Sequence, residues 1–151
     1  MWHKQAAALA DRFTVVAPDL RGYGDSAKPA GDADHGNYSK RVMANDLVAL
    51  MASLGHARFM VAGHDRGARV AYRMALDHPD AVTRVAVLDI VPTKKVYDST
   101  DRTLATGYFH WFMLIQRQPI PENLIGGAPD TWLDMASVSY THLTLPTTPY
   151  V

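Results

Sequence analysis

The stretch that decides the fold reads Phe59-Met60-Val61-Ala62-Gly63-His64-Asp65-Arg66-Gly67-Ala68-Arg69-Val70. An apolar run leads into a Gly-x-Asp-x-Gly turn, and a helical pattern follows until Pro79 stops it. A strand, a sharp turn and a helix in this order form a nucleophile elbow, which holds its central residue in a strained conformation. We expect side chains in place of Gly63 and Gly67 to clash there. Asp65 is predicted to project above the carboxyl edge of a sheet, where open α/β sheets bind ligands.

Two further apolar runs flank this unit and predict a parallel sheet. Phe13–Ala17, stopped by Pro18, and Val82–Ile90 both read as buried strands. Between the first run and the elbow, Ser39 is the predicted N-cap of a helix that Gly55 ends. Strands and helices thus alternate at spacings that suit right-handed crossovers. The predicted fold class is α/β, with a parallel sheet and helices on both of its faces.

The chain changes character after this α/β pattern. Residues 97–118 are rich in aromatic side chains and are predicted to be helical. We interpret residues 1–93 as a partial α/β core and residues 94–138 as the start of a cap inserted over the sheet. Residues 139–151 have no helical period and no match to what precedes them. We favour a translated artefact for this tail over a genuine disordered terminus.

Composition excludes several classes of protein. The 151 residues include 15 Lys+Arg, 15 Asp+Glu and no cysteine, so disulfides, thiolate metal sites and a cysteine nucleophile are ruled out. The balanced charge is not typical of nucleic-acid binding. No apolar run approaches the roughly 20 residues that a membrane span needs. We therefore expect a cytoplasmic protein with no nucleic-acid or membrane partner and with no metal.

The residue at the centre of the elbow is aspartate and not serine. A carboxylate can attack carbon and form an ester intermediate. This chemistry suits an sp³ carbon that carries a halogen or belongs to an epoxide, and it suits amides poorly. The alternative is that Asp65 only caps the following helix. The Gly-x-Asp-x-Gly pattern alone leaves the two about even, and the strand and helix around it favour the nucleophile.

Two arginines follow the aspartate on one face of the helix's first turn. Arg66 and Arg69 oppose the helix dipole there, which indicates a function that outweighs this cost. They would keep Asp65 ionised or bind a substrate carboxylate through paired hydrogen bonds. The alternative is that they pair with loop acids such as Asp19 or Asp25. We favour substrate binding.

Three more residues are candidates by position. Asp89 ends the last predicted strand on the same rim as Asp65, and it could orient a histidine base or merely cap a loop. His110 and Trp111 carry N–H groups that could hold a departing halide. Without further information, a core tryptophan and a satisfied helical histidine are the better interpretation of that pair. His64 is expected to support the turn and not to act as the base.

Five segments match a known pattern: Val16–Ser26, Ala62–Val70, Val87–Thr93, Phe109–Phe112 and Pro121–Gly127. Together they resemble the α/β-hydrolase superfamily and, within it, the fluoroacetate (haloacetate) dehalogenases. The first segment is shared widely, whereas the His-Asp-Arg-Gly-Ala-Arg run and the His-Trp pair are far more specific. The resemblance extends over residues 2–137 and implies a partial α/β-hydrolase fold that needs no cofactor.

The resemblance also implies a role for each candidate residue. Asp65 would displace fluoride, Asp89 would be the acid of a triad, Arg66 and Arg69 would clamp the carboxylate, and the halide donors would be His110 and Trp111. The implied substrate is a small halogenated carboxylic acid. Epoxide hydrolases more often have tryptophan where Arg66 stands. The full-length protein is expected to form a homodimer.

The chain departs from the family's pattern in three places. The late catalytic histidine, the halide-binding tyrosine of the cap and an early His-Gly-x-Pro segment are missing from the sequence. We therefore expect a fragment of a hydrolytic dehalogenase that is inactive as it stands. The alternatives are an epoxide hydrolase of the same fold and a non-catalytic, unstable partial domain.

Overall fold

The computed structural model describes residues 2–144, with side chains for residues 2–136. The elements in chain order are α1 (His3–Ala10), a 3₁₀ turn (Gly36–Tyr38), α2 (Lys40–Ser53), β1 (Phe59–His64), α3 (Arg66–Asp77), β2 (Val82–Leu88), α4 (Thr93–Asp98), α5 (Arg102–Gly107), α6 (Phe109–Leu114), α7 (Ile120–Gly127) and α8 (Pro129–Thr144). The chain divides into two compact units, Met1–Val96 and Tyr97–Val151.

The sheet is a parallel pair joined through α3, which confirms the α/β class. β1 and β2 are in register from Met60 opposite Arg84 to His64 opposite Leu88, with an irregularity after Phe59. α3 packs against both strands. Because the strands are parallel, their carboxyl ends meet at one edge, and the residues that follow His64 and Leu88 begin side by side.

The strand predicted over Phe13–Ala17 does not form. Residues 14–20 form neither helix nor strand, and Phe13 and Val15 are 43% and 38% exposed. An extended run becomes a strand only when a neighbouring backbone pairs with it, and apolar composition does not supply that neighbour. The predicted burial of the last strand is also wrong, since Val85, Val87 and Leu88 of β2 are 44–45% exposed.

The core of the first unit lies between α2, α3 and the sheet. Four buried residues form it, and partly buried side chains from the strands and the preceding loop pack around them. The four are Met43, Ala44, Val70 and Met74. The two helices supply all four because their apolar positions recur at helical spacing on the faces turned to each other.

Both predicted ends of α2 are confirmed. The Ser39 hydroxyl accepts a hydrogen bond from the Val42 N–H at 3.3 Å. At the other end Gly55 has φ +85°, and the His56 N–H donates to the Met51 carbonyl at 2.8 Å. This is the bonding of a Schellman cap, which satisfies carbonyls that the helix leaves without a partner.

The described part of the second unit consists of helices joined by short turns. The aromatic run that was predicted to be helical forms the end of α4 and the two short helices α5 and α6. Helix α8 reaches Thr144, inside the segment interpreted as a tail, and residues 145–151 lie outside the described residues. No helix in residues 2–144 has both the length and the apolar character needed to cross a membrane.

Candidate active site

The turn between β1 and α3 is a strained elbow, as the sequence predicts. Asp65 stands between the last residue of β1 and the first of α3 with φ 47° and ψ −117°. Positive φ in a residue with a Cβ costs about 1–3 kcal/mol and persists only where the surrounding structure enforces it. A Cβ on Gly63 would lie 2.4 Å from the Gly67 oxygen and 2.6 Å from the Ala68 nitrogen. Only glycine permits this approach of strand and helix.

The steric explanation offered for the second glycine is wrong for the part of the chain that the structure describes. A Cβ on Gly67 would meet nothing within 4 Å beyond its own helix. Gly67 lies in the first turn of α3, where its Cβ would project into open space. The close approach at the elbow therefore depends on Gly63.

The carboxylate of Asp65 is not a helix cap. Its side chain makes no capping hydrogen bond at the start of α3. Its backbone is tied to both neighbouring elements: the Asp65 N–H donates to the Leu88 carbonyl at 3.2 Å, and its carbonyl accepts from the Arg69 N–H at 3.1 Å. The backbone is thus fixed by β2 and α3, while the carboxylate is not used to close the helix.

The two arginines in the first turn of α3, Arg66 and Arg69, differ in their surroundings. Arg69 is half-buried, and its Nη1 donates to the Thr93 hydroxyl at 2.8 Å and to the Val91 carbonyl at 3.2 Å. Arg66 is exposed. Asp19, named above as an alternative partner, accepts at 3.2 Å from the Asp25 N–H within its own loop. Thr93 had no predicted role, although it lies in one of the segments that carry the family resemblance.

Asp89 comes to the same edge as Asp65. It directly follows Leu88, the ladder partner of His64, just as Asp65 directly follows His64. Asp89 also has a positive φ, 58°, and its side chain is 67% exposed. Its Oδ2 lies 3.5 Å from Nε2 of His64. The two aspartates therefore directly follow neighbouring strands, and the imidazole of His64 faces Asp89.

Lys40 is a residue of this neighbourhood that sequence reasoning missed. Burial lowers the pKa of Lys40 below its ordinary value, and the nearby charges of Arg66 and Arg69 lower it further, while Asp65 opposes the shift. A lysine at the start of a helix gives no sequence signal of such a position, because the same pattern is typical of a solvated side chain.

His110 and Trp111 lie in α6 of the second unit, within a group of aromatic rings. The ring of His110 is 5.9 Å from that of Tyr108 and 6.0 Å from that of Phe109. The ring of Trp111 is 5.9 Å from those of Tyr97 and Tyr108. Both side chains are half-buried. Their predicted role as halide donors stays a prediction.

Metal chemistry has no ligand set in the described residues. Among the described residues, no three His, Asp or Glu side chains lie close enough together to share a metal ion. The structure places two carboxylates and the imidazole of His64 at this edge, and two guanidinium groups follow in the first turn of α3. Such a set supports nucleophilic attack and the binding of an anion.

Comparison with known proteins gives a consistent family. The model of the alpha/beta hydrolase fold family matches residues 1–126. A fluoroacetate dehalogenase of Burkholderia sp is 53% identical over 134 residues, which are 89% of this chain and 44% of that protein. A soluble epoxide hydrolase of a Corynebacterium species is 46% identical over 91 residues, 60% of this chain and 30% of that one.

Solved structures agree with these matches. A candidate alpha/beta hydrolase from Nostoc sp PCC 7120 superposes with a TM-score of 0.81 at 58% identity, over 89% of this chain and 46% of that chain. A candidate epoxide hydrolase from Pseudomonas aeruginosa superposes with a TM-score of 0.78 at 44% identity, over 89% and 45%. The chain thus spans less than half the length of the relatives that it matches.

Proposed function

Because the chain belongs to the alpha/beta hydrolase fold family, we propose that the whole protein is a hydrolytic dehalogenase of small 2-haloacids such as haloacetate. One observation carries the proposal: the strained elbow presents an aspartate, and two arginines follow it in the first turn of α3. The similarity to the fluoroacetate dehalogenase of Burkholderia supports the choice of substrate. The family membership by itself gives only a hydrolase.

In the proposed reaction Asp65 is the nucleophile. One carboxylate oxygen attacks the carbon that bears the halogen, the carbon–halogen bond breaks, and the halide leaves with the bonding electrons. The product of this step is an ester between Asp65 and the acid. Water then attacks the carbonyl carbon of that ester, which restores the carboxylate and releases a hydroxy acid. The backbone N–H of Arg66 would stabilise the oxyanion in this second step.

The arginines are proposed to bind the substrate carboxylate. A carboxylate nucleophile and a carboxylate substrate repel each other, so positive charge must offset both. Arg69 is already held in place by Thr93 and Val91, so little side-chain freedom remains to be lost when an anion binds. His110 and Trp111 are proposed to receive the halide through their N–H groups.

Hydrolysis of the ester needs a base, and we propose that Asp89 orients a histidine for that purpose. The carboxylate of an aspartate fixes the tautomer of an imidazole and stabilises its charged form. The histidine that faces Asp89 in the described chain is His64, which immediately precedes the nucleophile. We propose that residues 1–151 by themselves lack this base and do not turn over, and that the whole protein works as a homodimer.

The experiment that tests the nucleophile combines a variant with isotope labelling. In the whole protein Asp65→Asn is expected to abolish halide release from haloacetate without unfolding the elbow, since asparagine tolerates positive φ. The control Asp80→Asn, at an exposed position after Pro79, is expected to keep the activity. Halide release by Asp65→Asn at the wild-type rate would refute the proposed function.

The labelling arm tests the covalent ester. With enzyme in excess over haloacetate in ¹⁸O water, a single turnover should leave the hydroxy acid unlabelled, because its new oxygen comes from Asp65. The ¹⁸O should appear in the Asp65 carboxylate, where mass spectrometry of peptides detects it. A labelled hydroxy acid after one turnover would mean that water attacks the substrate directly.

An epoxide hydrolase is the second candidate. The similarity to the soluble epoxide hydrolase of Corynebacterium favours it, and the same nucleophile would serve. Arg66 favours the dehalogenase over the epoxide hydrolase, because a guanidinium beside the nucleophile binds an anionic substrate better than a neutral epoxide. Comparing chloroacetate with styrene oxide on the purified whole protein decides between them.

A further inference from the structure

We propose that His64 is a positioning residue of this site, whose imidazole holds the carboxylate of Asp89 in place for the base that hydrolyses the ester. The role rests on the proposed function, since it assumes an ester on Asp65 and a triad acid at Asp89. In this role His64 contacts neither the substrate nor the reacting carbon. It acts through Asp89, and therefore on the hydrolysis of the ester and not on the release of halide.

The direction of the His64 side chain follows from the alternation of residues along β1. Phe59 and Val61 pack on the core, and a Cβ on Gly63 would meet the backbone of α3. Because successive side chains of a strand point to opposite faces, His64 lies on the face of the sheet that is turned away from α3. Met60, on the same face, is exposed. The imidazole is thus directed away from the helix, and it contacts the end of β2 instead.

Asp89 is the group that this imidazole meets. His64 pairs with Leu88 in the ladder, and Asp89 follows Leu88 directly. Nε2 of His64 lies 3.5 Å from Oδ2 of Asp89, which is within ion-pair range and longer than most hydrogen bonds. Next to this contact, the Asp65 N–H donates to the Leu88 carbonyl at 3.2 Å. The pairing of the two strands therefore brings the imidazole and the carboxylate together.

The exposure of Asp89 explains why such a contact matters. The side chain of Asp89 is 67% exposed, whereas that of His64 is 25% exposed. An exposed carboxylate exchanges freely between rotamers unless a neighbouring group holds it. A triad acid fixes the tautomer and the orientation of the base, so the acid itself has to be held. An N–H of His64 directed at Oδ2 does this and leaves Oδ1 to accept from the base, since each carboxylate oxygen is an acceptor.

The two steps of the proposed reaction respond differently to the loss of His64. Attack of Asp65 on chloroacetate forms a carbon–oxygen bond and breaks the carbon–chlorine bond, and chloride leaves with the bonding electrons. Water, which gives a proton to the base, then cleaves the carboxymethyl ester of Asp65 to glycolate and the free carboxylate. Asp89 takes part only in this second step. Loss of His64 should therefore let the ester accumulate, whereas a histidine that merely supported the elbow would impair the attack by its neighbour Asp65.

The test follows chloride release by the whole protein from the first turnover onward, with chloroacetate in excess, for wild type, His64→Leu and His64→Gln. Leucine removes the N–H, and the side-chain amide of glutamine keeps one. In His64→Leu we expect the first turnover at the wild-type rate and later turnovers about tenfold slower, as for the loss of one hydrogen bond to a charged group. Mass spectrometry of the intact protein should then detect the carboxymethyl ester. His64→Gln should hydrolyse the ester within about threefold of the wild-type rate, since its N–H can replace that of the imidazole.

A double-mutant cycle tests whether His64 acts through Asp89. Asp89→Asn alone should also slow the hydrolysis of the ester. Adding His64→Leu to it should slow hydrolysis no further, because the carboxylate that His64 holds is already gone, and losses that multiply would contradict the proposed role. Met60→Leu, on the same face of β1, is the control and should leave both steps unchanged. Thermal unfolding of each variant monitors the fold, and if His64→Leu unfolds early, His64→Met takes its place in every measurement.

The outcomes separate this inference from the proposed function. A wild-type protein that releases no chloride from chloroacetate overturns the dehalogenase proposal, and the role of His64 falls with it. An active wild type whose His64→Leu variant hydrolyses the ester at the wild-type rate overturns the role of His64 alone. A variant that slows the first turnover as much as the later ones, without ester, would show that the histidine only supports the elbow. His64→Gln as slow as His64→Leu would show that an N–H is not what holds Asp89.

Discussion

Replacing Gly63 by alanine should break the close approach that shapes the elbow. The added Cβ would lie 2.4 Å from the carbonyl oxygen of Gly67, 2.5 Å from its carbonyl carbon and 2.6 Å from the nitrogen of Ala68. All three are backbone atoms of α3, so no side chain can rotate away. Ordinary contact begins at 3.4 Å, and α3 must therefore move away from β1 by about 1 Å.

This displacement of α3 determines how much folding free energy the Gly63→Ala variant loses. Overpacking in a close-packed region costs about 1–3 kcal/mol, and we expect the upper end because only backbone can yield. For a whole protein of a few hundred residues, about 3 kcal/mol lowers the melting temperature by roughly 6–12 °C. Urea unfolding followed by circular dichroism measures the free energy, and a thermal scan measures the midpoint.

Gly67→Ala is the matched control, since it adds the same methyl group to the same turn. Its Cβ would meet nothing within 4 Å, and alanine is favoured over glycine inside a helix by up to about 1 kcal/mol. We expect its stability to equal or slightly exceed that of the wild type. If the two variants lose the same free energy, or if Gly63→Ala is as stable as the wild type, the steric account of the elbow is wrong.

Three more predictions concern the same elements. Asp65→Gly should be about 1 kcal/mol more stable to urea than Asp65→Ala, because glycine adopts φ 47° without strain; equal stabilities would show that no strain is stored there. Thr93→Val should raise the KM for haloacetate about fivefold by removing a hydrogen bond of Arg69 worth ~1 kcal/mol, and Thr93→Ser should restore it. Met74→Ala, at a residue 1% exposed, should cost about 2–5 kcal/mol, and Leu76→Ala on the same helix, 65% exposed, less than about 0.5; similar losses would contradict the packing of α3.

The features that were predicted correctly depend on residues close together in the sequence. The N-cap of α2 and the glycine that ends it depend on residues within one helical turn, so Ser39 and Gly55 reveal them without knowledge of the fold. The elbow is equally local, because Gly63 and Asp65 lie two residues apart on a single turn. The place of Asp89 beside it needed only the parallel order of the strands.

Contacts between segments that are distant in the sequence could not be predicted. Whether Phe13–Ala17 becomes a strand depends on pairing with the backbone of another segment, and the residues of the run do not indicate whether such a segment is present. Thr93 meets Arg69 from across 24 residues of sequence, and no spacing rule connects the two. Burial and the charges of Arg66 and Arg69 lower the pKa of Lys40, and its sequence pattern, which is that of a solvated lysine, gives no sign of this.

Backbone strain in the described chain is concentrated at the edge where the aspartates lie. Three described residues other than glycine have positive φ: Asp65 and Asp89 at this edge, and His35 in a loop elsewhere. The two aspartates follow ladder partners of β1 and β2, so the strain recurs at the same level of neighbouring strands. Glycine at either position would remove the cost, and a fold selected only for stability would gain by it. A carboxylate is present at both strained positions although glycine would be more stable there. This is expected of a site whose side chains must project above the sheet.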